Sequence, residues 1–404
     1  MNAGYDIDIV IVGAGIAGLT VAALLARGEH SERLRITVVD AAGQPQHDAD
    51  AEVELRVSAI STGSAGLFDS FGAWRHIQET RACAYERMRV WDEADEADGP
   101  STLHFDADEF GIPQLGFIVE NTLVRQAVLR VLDQTTVDMQ FNSPIKSLRR
   151  VGRRYRLELD DGKLLEADLV IAADGARSFV RDSVGIVVNR WPYEQTAVVT
   201  HLRPQIPHQH TARQRFLKDG PLGMLPLADG RISVVWTTTP ANAALASQAD
   251  DGELGNMLTE ASDHVFGNLT VAGPRGAFPL NATHARDYVL PGLALIGDAA
   301  HAVHPLAGQG ANLGLQDARA LAQIVSNALE RGEHPGDRLV LRRYERERKG
   351  ANATMLHLMT GLNCLFASDS LLLGELRRAG MRLFNVSGPI REYAVNVALD
   401  AGRR

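Results

Sequence analysis

The sequence predicts an α/β fold: a Rossmann-like dinucleotide-binding domain with an inserted β-sheet domain and a helical C-terminal region. Three observations predict it. A strand near the N-terminus runs directly into G-x-G-x-x-G and a helix; two later apolar strands each stop at an acid beside a glycine; and strand-type segments separated by Gly and Pro turns fill the stretch from Thr196 to about Pro279.

In chain order, Asp6 to Val12 is a buried-type strand, followed by Gly13-Ala14-Gly15-Ile16-Ala17-Gly18 and an apolar helical run through Leu25. Gly13 permits a tight turn, Gly15 lets the backbone approach a pyrophosphate, with Ile16 and Ala17 opening the helix, and Gly18 allows helix and strand to pack closely. Ile36 to Val39 supplies the second strand, ending at Asp40, 22 residues after Gly18, to take adenosine ribose hydroxyls. Arg56, in the alternating stretch Glu52 to Ser61, is a candidate for a phosphate or a flavin edge; the competing reading is a surface ion pair with Glu52 or Glu54. The acidic run Asp92 to Asp98 reads as a solvated loop rather than a metal site. Helical spacing at Leu123 to Leu129 puts Arg125 and Gln126 near a helix start, where one of them can reach a cofactor. Ala167 to Ala173 is a second buried strand, ending at Asp174-Gly175. In the sheet-rich stretch, Gly220 to Leu227 reads either as apolar backbone laid against whatever that sheet covers or as a turn and edge strand.

Leu295-Ile296-Gly297-Asp298 is the third strand end. Its carboxylate is placed for a ribityl or sugar hydroxyl, with Gly297 leaving room for the ligand. The loop that follows contains Pro305, Gly308, Gln309 and Gly310, and from Ala311 and Asn312 onward the composition is that of a helix start. A helix N-terminus attracts negative charge, which is what the N1–C2=O edge of a reduced flavin develops. Three strand ends for one long ligand point to a dinucleotide flavin.

The bulk numbers bound the rest. With 404 residues, 45% of them hydrophobic, the chain can bury a full core in two joined lobes. A net charge of −9 favours neither nucleic acid nor a purely electrostatic grip on anionic lipid. Two cysteines, Cys83 and Cys364, lie far apart and outside any C-x-x-C, so no thiolate metal site or disulfide framework is expected, and a cytoplasmic setting is. No signal peptide is seen, and no apolar run approaches the ~18 residues of a membrane span.

Gly297-Asp298-Ala299-Ala300-His301, continuing into His304 to Gly310 and Asn312 to Leu315, resembles the FAD-dependent aromatic-ring hydroxylases related to para-hydroxybenzoate hydroxylase, and within them the ubiquinone-biosynthesis hydroxylases. Asp174-Gly175, Arg56 to Ser61 and Gly220 to Leu227 share in the likeness, which spans nearly the whole chain. The resemblance implies an FAD-binding domain made of residues 1–80, 100–182 and 281–350, a substrate domain of 81–99 and 183–280, and a helical C-terminal region of 351–404. It implies a tight, non-covalent FAD: Gly13, Gly15 and Gly18 at the pyrophosphate, Asp40 at the adenosine ribose, Asp298 at the phosphate–ribityl region. Pro305 and Gly308 to Asn312 then lie at the ring, with Ala311 where the family often has a bulkier apolar residue. Phe216, Leu225 and Pro226 are placed with the substrate. NAD(P)H and O2 enter as co-substrates, NAD(P)H binding transiently since no second G-x-G-x-x-G exists, and a (poly)prenylated phenol accepts the oxygen. No side chain is nominated as catalytic, because the cofactor carries the chemistry; His301 and His304 are expected to have structural roles.

Two other functions fit the same site: a flavin reductase of isoprenoid double bonds, and a non-catalytic flavoprotein scaffold of a quinone-biosynthesis complex. A flavin-dependent halogenase would need a W-x-W-x-I-P segment, and Trp74, Trp91, Trp191 and Trp236 lie in none. Apolar residues at helical spacing from Met355 to Leu376, followed by Arg377, Arg378 and Arg382, read as an interfacial membrane helix or as a face packed on the FAD lobe or a second subunit. The partners left in view are therefore a membrane surface, other quinone-biosynthesis proteins and a second copy of the chain.

Overall fold

Strands that are apolar on both faces belong inside a parallel sheet covered by helices, and the N-terminal segment obeys this. The computed structural model describes residues 6–304, 310–366 and 371–399. β1 (Ile7–Val12) is central, flanked by β2 (Leu34–Val39) and β12 (Leu169–Ala172); β8 (Asp138–Gln140) extends the sheet on one side, β19 (Leu293–Leu295) and β18 (Val289–Leu290) on the other. All neighbours are parallel except β18 with β19. Val12 is in register with both Val39 and Ala172, and Ala172 with Leu295, so four strand ends stand side by side at one edge. Helices α1 (Ile16–Ala26), α4 (Asn121–Leu132) and α8 (Gly310–Glu330) cover this sheet and close the main core with Leu19, Val128 and Leu321. A small sheet of β3 (Val57–Ser61), β7 (Gly116–Glu120) and β4 (Cys83–Tyr85) joins it to the second lobe, with α2 (Thr62–Ser70) and α3 (Trp74–Arg81) outside. The hairpin of β9 (Ile145–Val151), β10 (Arg154–Leu159) and β11 (Leu164–Ala167), and the short α5 (Phe179–Ser183), complete the first lobe.

The second lobe is an eight-stranded sheet. Its order is β20 (His301–Ala302), β17 (Leu269–Ala285), β13 (Val188–Pro204), β16 (Ile232–Thr238), β15 (Gly220–Pro226), β14 (Thr211–Leu217), β5 (Arg87–Asp92), β6 (Leu103–Asp106). Under it α6 (Pro240–Gln248) and α7 (Asp251–Ala261) close a separate core around Trp91, Leu254 and Phe266. α7 begins at a capping box: Asp250 accepts from the Glu253 N–H and Glu253 from the Asp250 N–H.

The structure redraws three boundaries. β6 lies beyond the expected limit at 99, yet it pairs antiparallel with β5 and belongs to the large sheet. That sheet also continues past 280, through the end of β17 and across to β20. The expected start of the C-terminal region at 351 falls inside one continuous helix, α9 (Arg338–Phe366), because Gly350 alone does not break a helix whose faces are packed. The stretch from Gly220 is an interior strand rather than an edge; its prolines, Pro221 and Pro226, sit near its two ends. Asp92 is no solvated loop residue either: it is buried and paired with Arg377.

α10 (Leu371–Val386) and α11 (Gly388–Leu399) follow. The expected interfacial stretch divides between two fates. Leu356 is buried and Phe366 stacks on Phe216 at 3.8 Å, so much of it packs on the sheet lobe. The exposed apolar stripe lies further on, at Leu376, Leu383, Val386, Ile390, Tyr393 and Val397, which are 48–78% exposed. Among the described residues no helix is long and apolar enough to cross a membrane.

Candidate functional site

The aligned strand ends open on a large cleft, with about 1840 Å³ of unfilled space, between the two lobes. The glycines of the first turn differ in what surrounds them. Gly13 has φ +103°, and a Cβ there would stand 2.4 Å from the Ala173 carbonyl oxygen; one at Gly18 would stand 2.0 Å from the Gly13 carbonyl oxygen. Both positions are closed to any side chain. Gly15 faces no protein atom within 4 Å and lines the cleft with Ile16 and Ala17. The protein thus packs against the first and third glycines and leaves the second open, which is the pattern a pyrophosphate requires. At the third strand end Gly297 (φ +57°) and Gly314 lie against the Ala17 methyl, bringing the start of α8 close to the turn.

The acids at the strand ends are used differently. Asp40 accepts from the Ala14 N–H at 2.6 Å and the Ala42 N–H at 2.7 Å, bracing the glycine turn, and does not itself line the cleft. Asp174 accepts from the Val180 N–H at 3.0 Å with one oxygen, while its other oxygen is buried without a partner among the described residues; Ala173 and Gly175 line the cleft beside it. Asp298 is exposed on the cleft, with protein crowded around its carboxylate. Burial raises its pKa above the ordinary carboxylate value against the pull of His301 and Arg56.

Arg56 also lines the cleft, its guanidinium 5.2 Å from the Phe278 ring centre. The surface pairs that competed for it are otherwise engaged: Glu52 binds Arg231, and Glu54 accepts from the Thr122 hydroxyl. Arg125 reaches the glycine turn, donating from Nε to the Ala14 carbonyl at 2.9 Å. Gly310 and Ala311 line the cleft at the start of α8. Asn312 turns to the other side: its amide donates to the Ala59 carbonyl at 2.7 Å and accepts from the Ser61 N–H at 3.0 Å, tying α8 to β3. Pro305, Gly308 and Gln309 lie outside the described residues.

A second, apolar pocket, partly open to solvent, lies on that other side of β3 and α8. Ala59, Ser61 and Asn312 form its boundary with the flavin-site elements; Tyr85, Met88 and Phe105 come from the sheet lobe and Val395 and Leu399 from α11. Strand alternation explains the division: Ala59 and Ser61, two residues apart, share the face of β3 that walls the cavity, while Ser58 on the opposite face lines the cleft. Phe216, Leu225 and Pro226 line neither space. Phe216 is covered by Phe366, and Leu225 packs in a small core with Val53 and Cys83.

Sequence reasoning missed the buried polar network behind Asp298. Asp317 on α8 accepts from the Gly297 N–H at 3.1 Å, pairs with His301 Nε2 at 2.5 Å, and takes Arg348 Nε at 2.8 Å and Asn352 Nδ2 at 3.0 Å from α9. Burial alone would raise the Asp317 pKa, but the charges and hydrogen bonds of His301 and Arg348 hold it at about 2. The network fixes the Gly297 turn to two helices, and His301 belongs to it. His304 is buried with neither ring nitrogen hydrogen-bonded among the described residues, edge-on to Tyr193 at 4.8 Å; burial lowers its pKa to about 4. The available signal was an acid on an apolar stripe: Asp317 lies four residues from both Leu313 and Leu321, on the buried face of α8.

The model of the FAD binding domain family matches residues 6–358. The chain belongs to this family. It is 35% identical over 397 residues to the 3-demethoxyubiquinol 3-hydroxylase of Escherichia coli (strain K12), covering 97% of this chain and 98% of that one. It is 33% identical over 436 residues to the mitochondrial ubiquinone biosynthesis monooxygenase COQ6 of Homo sapiens, covering 97% and 92%. Among solved structures, p-nitrophenol 4-monooxygenase PnpA from Pseudomonas putida DLL-E4 superposes with a TM-score of 0.78 at 18% identity over 98% of both chains. PqsL of P. aeruginosa, in complex with 2-aminobenzoylacetate, gives 0.73 at 24% identity over 93% of this chain and 99% of that one; both likenesses concern the fold. The protein is an FAD-dependent monooxygenase of the group that resembles para-hydroxybenzoate hydroxylase.

Proposed function

We propose that this protein hydroxylates the aromatic ring of a prenylated phenol in ubiquinone biosynthesis, using NAD(P)H and O2. The observation that carries the proposal is the pair of spaces separated by β3 and the N-terminus of α8: a cleft with the pyrophosphate pattern on one side and an apolar cavity on the other. The walls of the second space are almost wholly apolar and suit a ligand that is mostly hydrocarbon.

The fit to FAD rests on the open Gly15, the closed Gly13 and Gly18, the unpartnered oxygen of Asp174 and the cleft-facing carboxylate of Asp298. In this reading backbone N–H groups after Gly13 hold the pyrophosphate, Asp298 accepts from a hydroxyl of the ribityl region, and Arg56 and Arg125 add positive charge along the cleft. Asp40 acts on the adenosine end by shaping the turn. When bound, FAD supplies the oxidising chemistry by which one atom of O2 reaches the ring. The chain contributes placement, exclusion of water by the apolar cavity, and the positive end of the 21-residue helix α8 aimed at the ring's developing negative charge. Gly310, the first residue of α8, belongs to that ring environment.

α11 carries the reading one step further. Its inner side, Val395 and Leu399, walls the cavity, while Ile390, Tyr393 and Val397 are exposed on its outer side and continue the stripe of α10. A polyprenyl tail resides in a bilayer, so the occupant of this stripe is the lipid surface that holds the substrate. Purified protein mixed with NADH or NADPH, O2 and a short-chain prenyl phenol should give a product one oxygen atom heavier. Oxidation of reductant that no phenol stimulates would overturn the assignment and favour a scaffold.

A further inference from the structure

The apolar cavity is lined by few hydrogen-bonding side chains, and all but one are already committed. The Asn312 amide is held by the Ala59 carbonyl and the Ser61 N–H, and Ser61 Oγ is engaged with Ser64 through both the Ser64 hydroxyl and its N–H. Tyr85 is the exception. Tyr85 lines the cavity, and its hydroxyl makes no hydrogen bond among the described residues. A phenolic hydroxyl in such surroundings ordinarily finds a partner, and one left without is a mark of a ligand's place.

The placement is built, not incidental. Tyr85 pairs across the strands with Gly116, and its phenol lies over that glycine: a Cβ at Gly116 would stand 2.8 Å from the Tyr85 oxygen and 2.9 Å from Cε1. Glycine at 116 is therefore what allows the Tyr85 ring to lie across the strand pair at the cavity wall. Met88, Phe105 and Leu115 surround the same space with hydrocarbon only. Among the described residues, a ligand that fills it meets one uncommitted donor and otherwise largely apolar walls.

We propose that Tyr85 orients the substrate, donating a hydrogen bond from its hydroxyl to the ring oxygen of the phenol or quinol in this cavity. The proposal rests on the hydroxylase reading above and names the contact that fixes which ring edge faces the flavin side of the β3–α8 wall. Burial pushes the Tyr85 hydroxyl up to about 12, so it remains protonated across the working pH range and acts as a donor rather than as a base. With Tyr85 as the one uncommitted polar group among the described lining residues, the cavity selects rings that carry an oxygen at that position and tolerates hydrocarbon substituents elsewhere.

The test compares two ligands on two proteins. A short-chain prenyl phenol and its deoxy analogue, with hydrogen in place of the ring hydroxyl, are titrated against FAD-loaded wild type and Tyr85→Phe by the change in flavin absorbance. Wild type is expected to prefer the phenol by roughly tenfold, the scale of one hydrogen bond, and Y85F to bind both about equally. Y85F should retain its FAD and form less hydroxylated product per NAD(P)H consumed, because an unoriented ring couples poorly. Equal preference for the phenol in both proteins, or loss of FAD from Y85F, would overturn the role of Tyr85. If wild type itself neither binds nor hydroxylates the phenol, it is the hydroxylase reading that fails; if it hydroxylates normally and Y85F keeps the preference, the Tyr85 proposal fails alone.

Discussion

Asp317→Asn tests whether the network behind the Gly297 turn is needed for a stable site. The substitution keeps the shape of the side chain and removes the charge that faces His301 and Arg348. Arg348 is 1% exposed, so its guanidinium would be left buried with only the Asn352 amide for company. Removing one partner of a buried ion pair costs about 3–5 kcal/mol, and that is the expected loss near neutral pH. The pH dependence is signed. The Asp317 pKa is held at about 2, below the ordinary value of 3.8, so its contribution is fully present above the unfolded pKa and is lost as pH falls toward the folded one. The stability gap between wild type and D317N should therefore narrow by roughly 1 kcal/mol between pH 5 and pH 3, and further below that. The assay is urea unfolding of both FAD-loaded proteins across that range, followed by far-UV circular dichroism and flavin fluorescence together. Other carboxylates titrate equally in the two proteins and cancel in the difference. A gap that is below about 1 kcal/mol at pH 7, or that stays constant down to pH 3, would refute the reasoning that this charge holds the turn in place.

The two remaining predictions concern the glycine turn and the outer stripe. Gly15→Ala adds a methyl where no protein atom lies within 4 Å, so the fold should survive with an unchanged circular dichroism spectrum while FAD binds at least tenfold more weakly; Gly13→Ala, at φ +103° and 2.4 Å from a carbonyl oxygen, should fail to accumulate as folded protein. Equal FAD affinity in wild type and G15A, measured by equilibrium dialysis, would remove the turn from the pyrophosphate site. Changing Leu383 and Ile390, 69% and 63% exposed, to Glu should abolish co-sedimentation with liposomes and leave bound FAD and hydroxylation of a short-chain phenol intact. A dimer dissolved by the same pair of substitutions, seen by light scattering, would assign the stripe to a second copy instead.

How much of this was legible in the sequence depended on how far apart the cooperating residues lie. The glycine turn was fully legible, because Gly13, Gly15 and Gly18 answer to one strand, one turn and one helix that are contiguous in the chain. The strand ends at Asp40, Asp174 and Asp298 were legible as ends, since a run of buried residues that stops at an acid is a local pattern. What each acid does was not, because the Asp40 partners are set by the turn opposite and Asp174 by the helix that follows it. The β5–β6 pairing was hidden by the acidic loop between the strands, which reads as a boundary yet only carries the chain from one strand back along its neighbour. The expected substrate residues were misplaced for a related reason: Phe216 sits in a strand of the right lobe, but its cover, Phe366, comes from the far end of α9.

The cavity walls show the limit most clearly. They come from residues 59–61, 85–88, 105–115, 312 and 394–399, five segments that share no periodic signal and meet only when both lobes and the last helix are in place. Nothing about Tyr85 distinguishes it along the chain; it becomes singular only because its neighbours in space have spent their hydrogen bonds. Asp317 shows what can still be read. A charged residue on an apolar helical stripe must be paired or it would not be there, and Asp317 on α8 has its answer in Arg348 and Asn352, four residues apart on a stripe of α9 that also carries Tyr344. Two helices that each place polar residues on their buried faces at helical spacing declare that they face one another. The sequence therefore contained the α8–α9 contact, and with it the brace behind Gly297, in the positions where its hydrophobic pattern is broken.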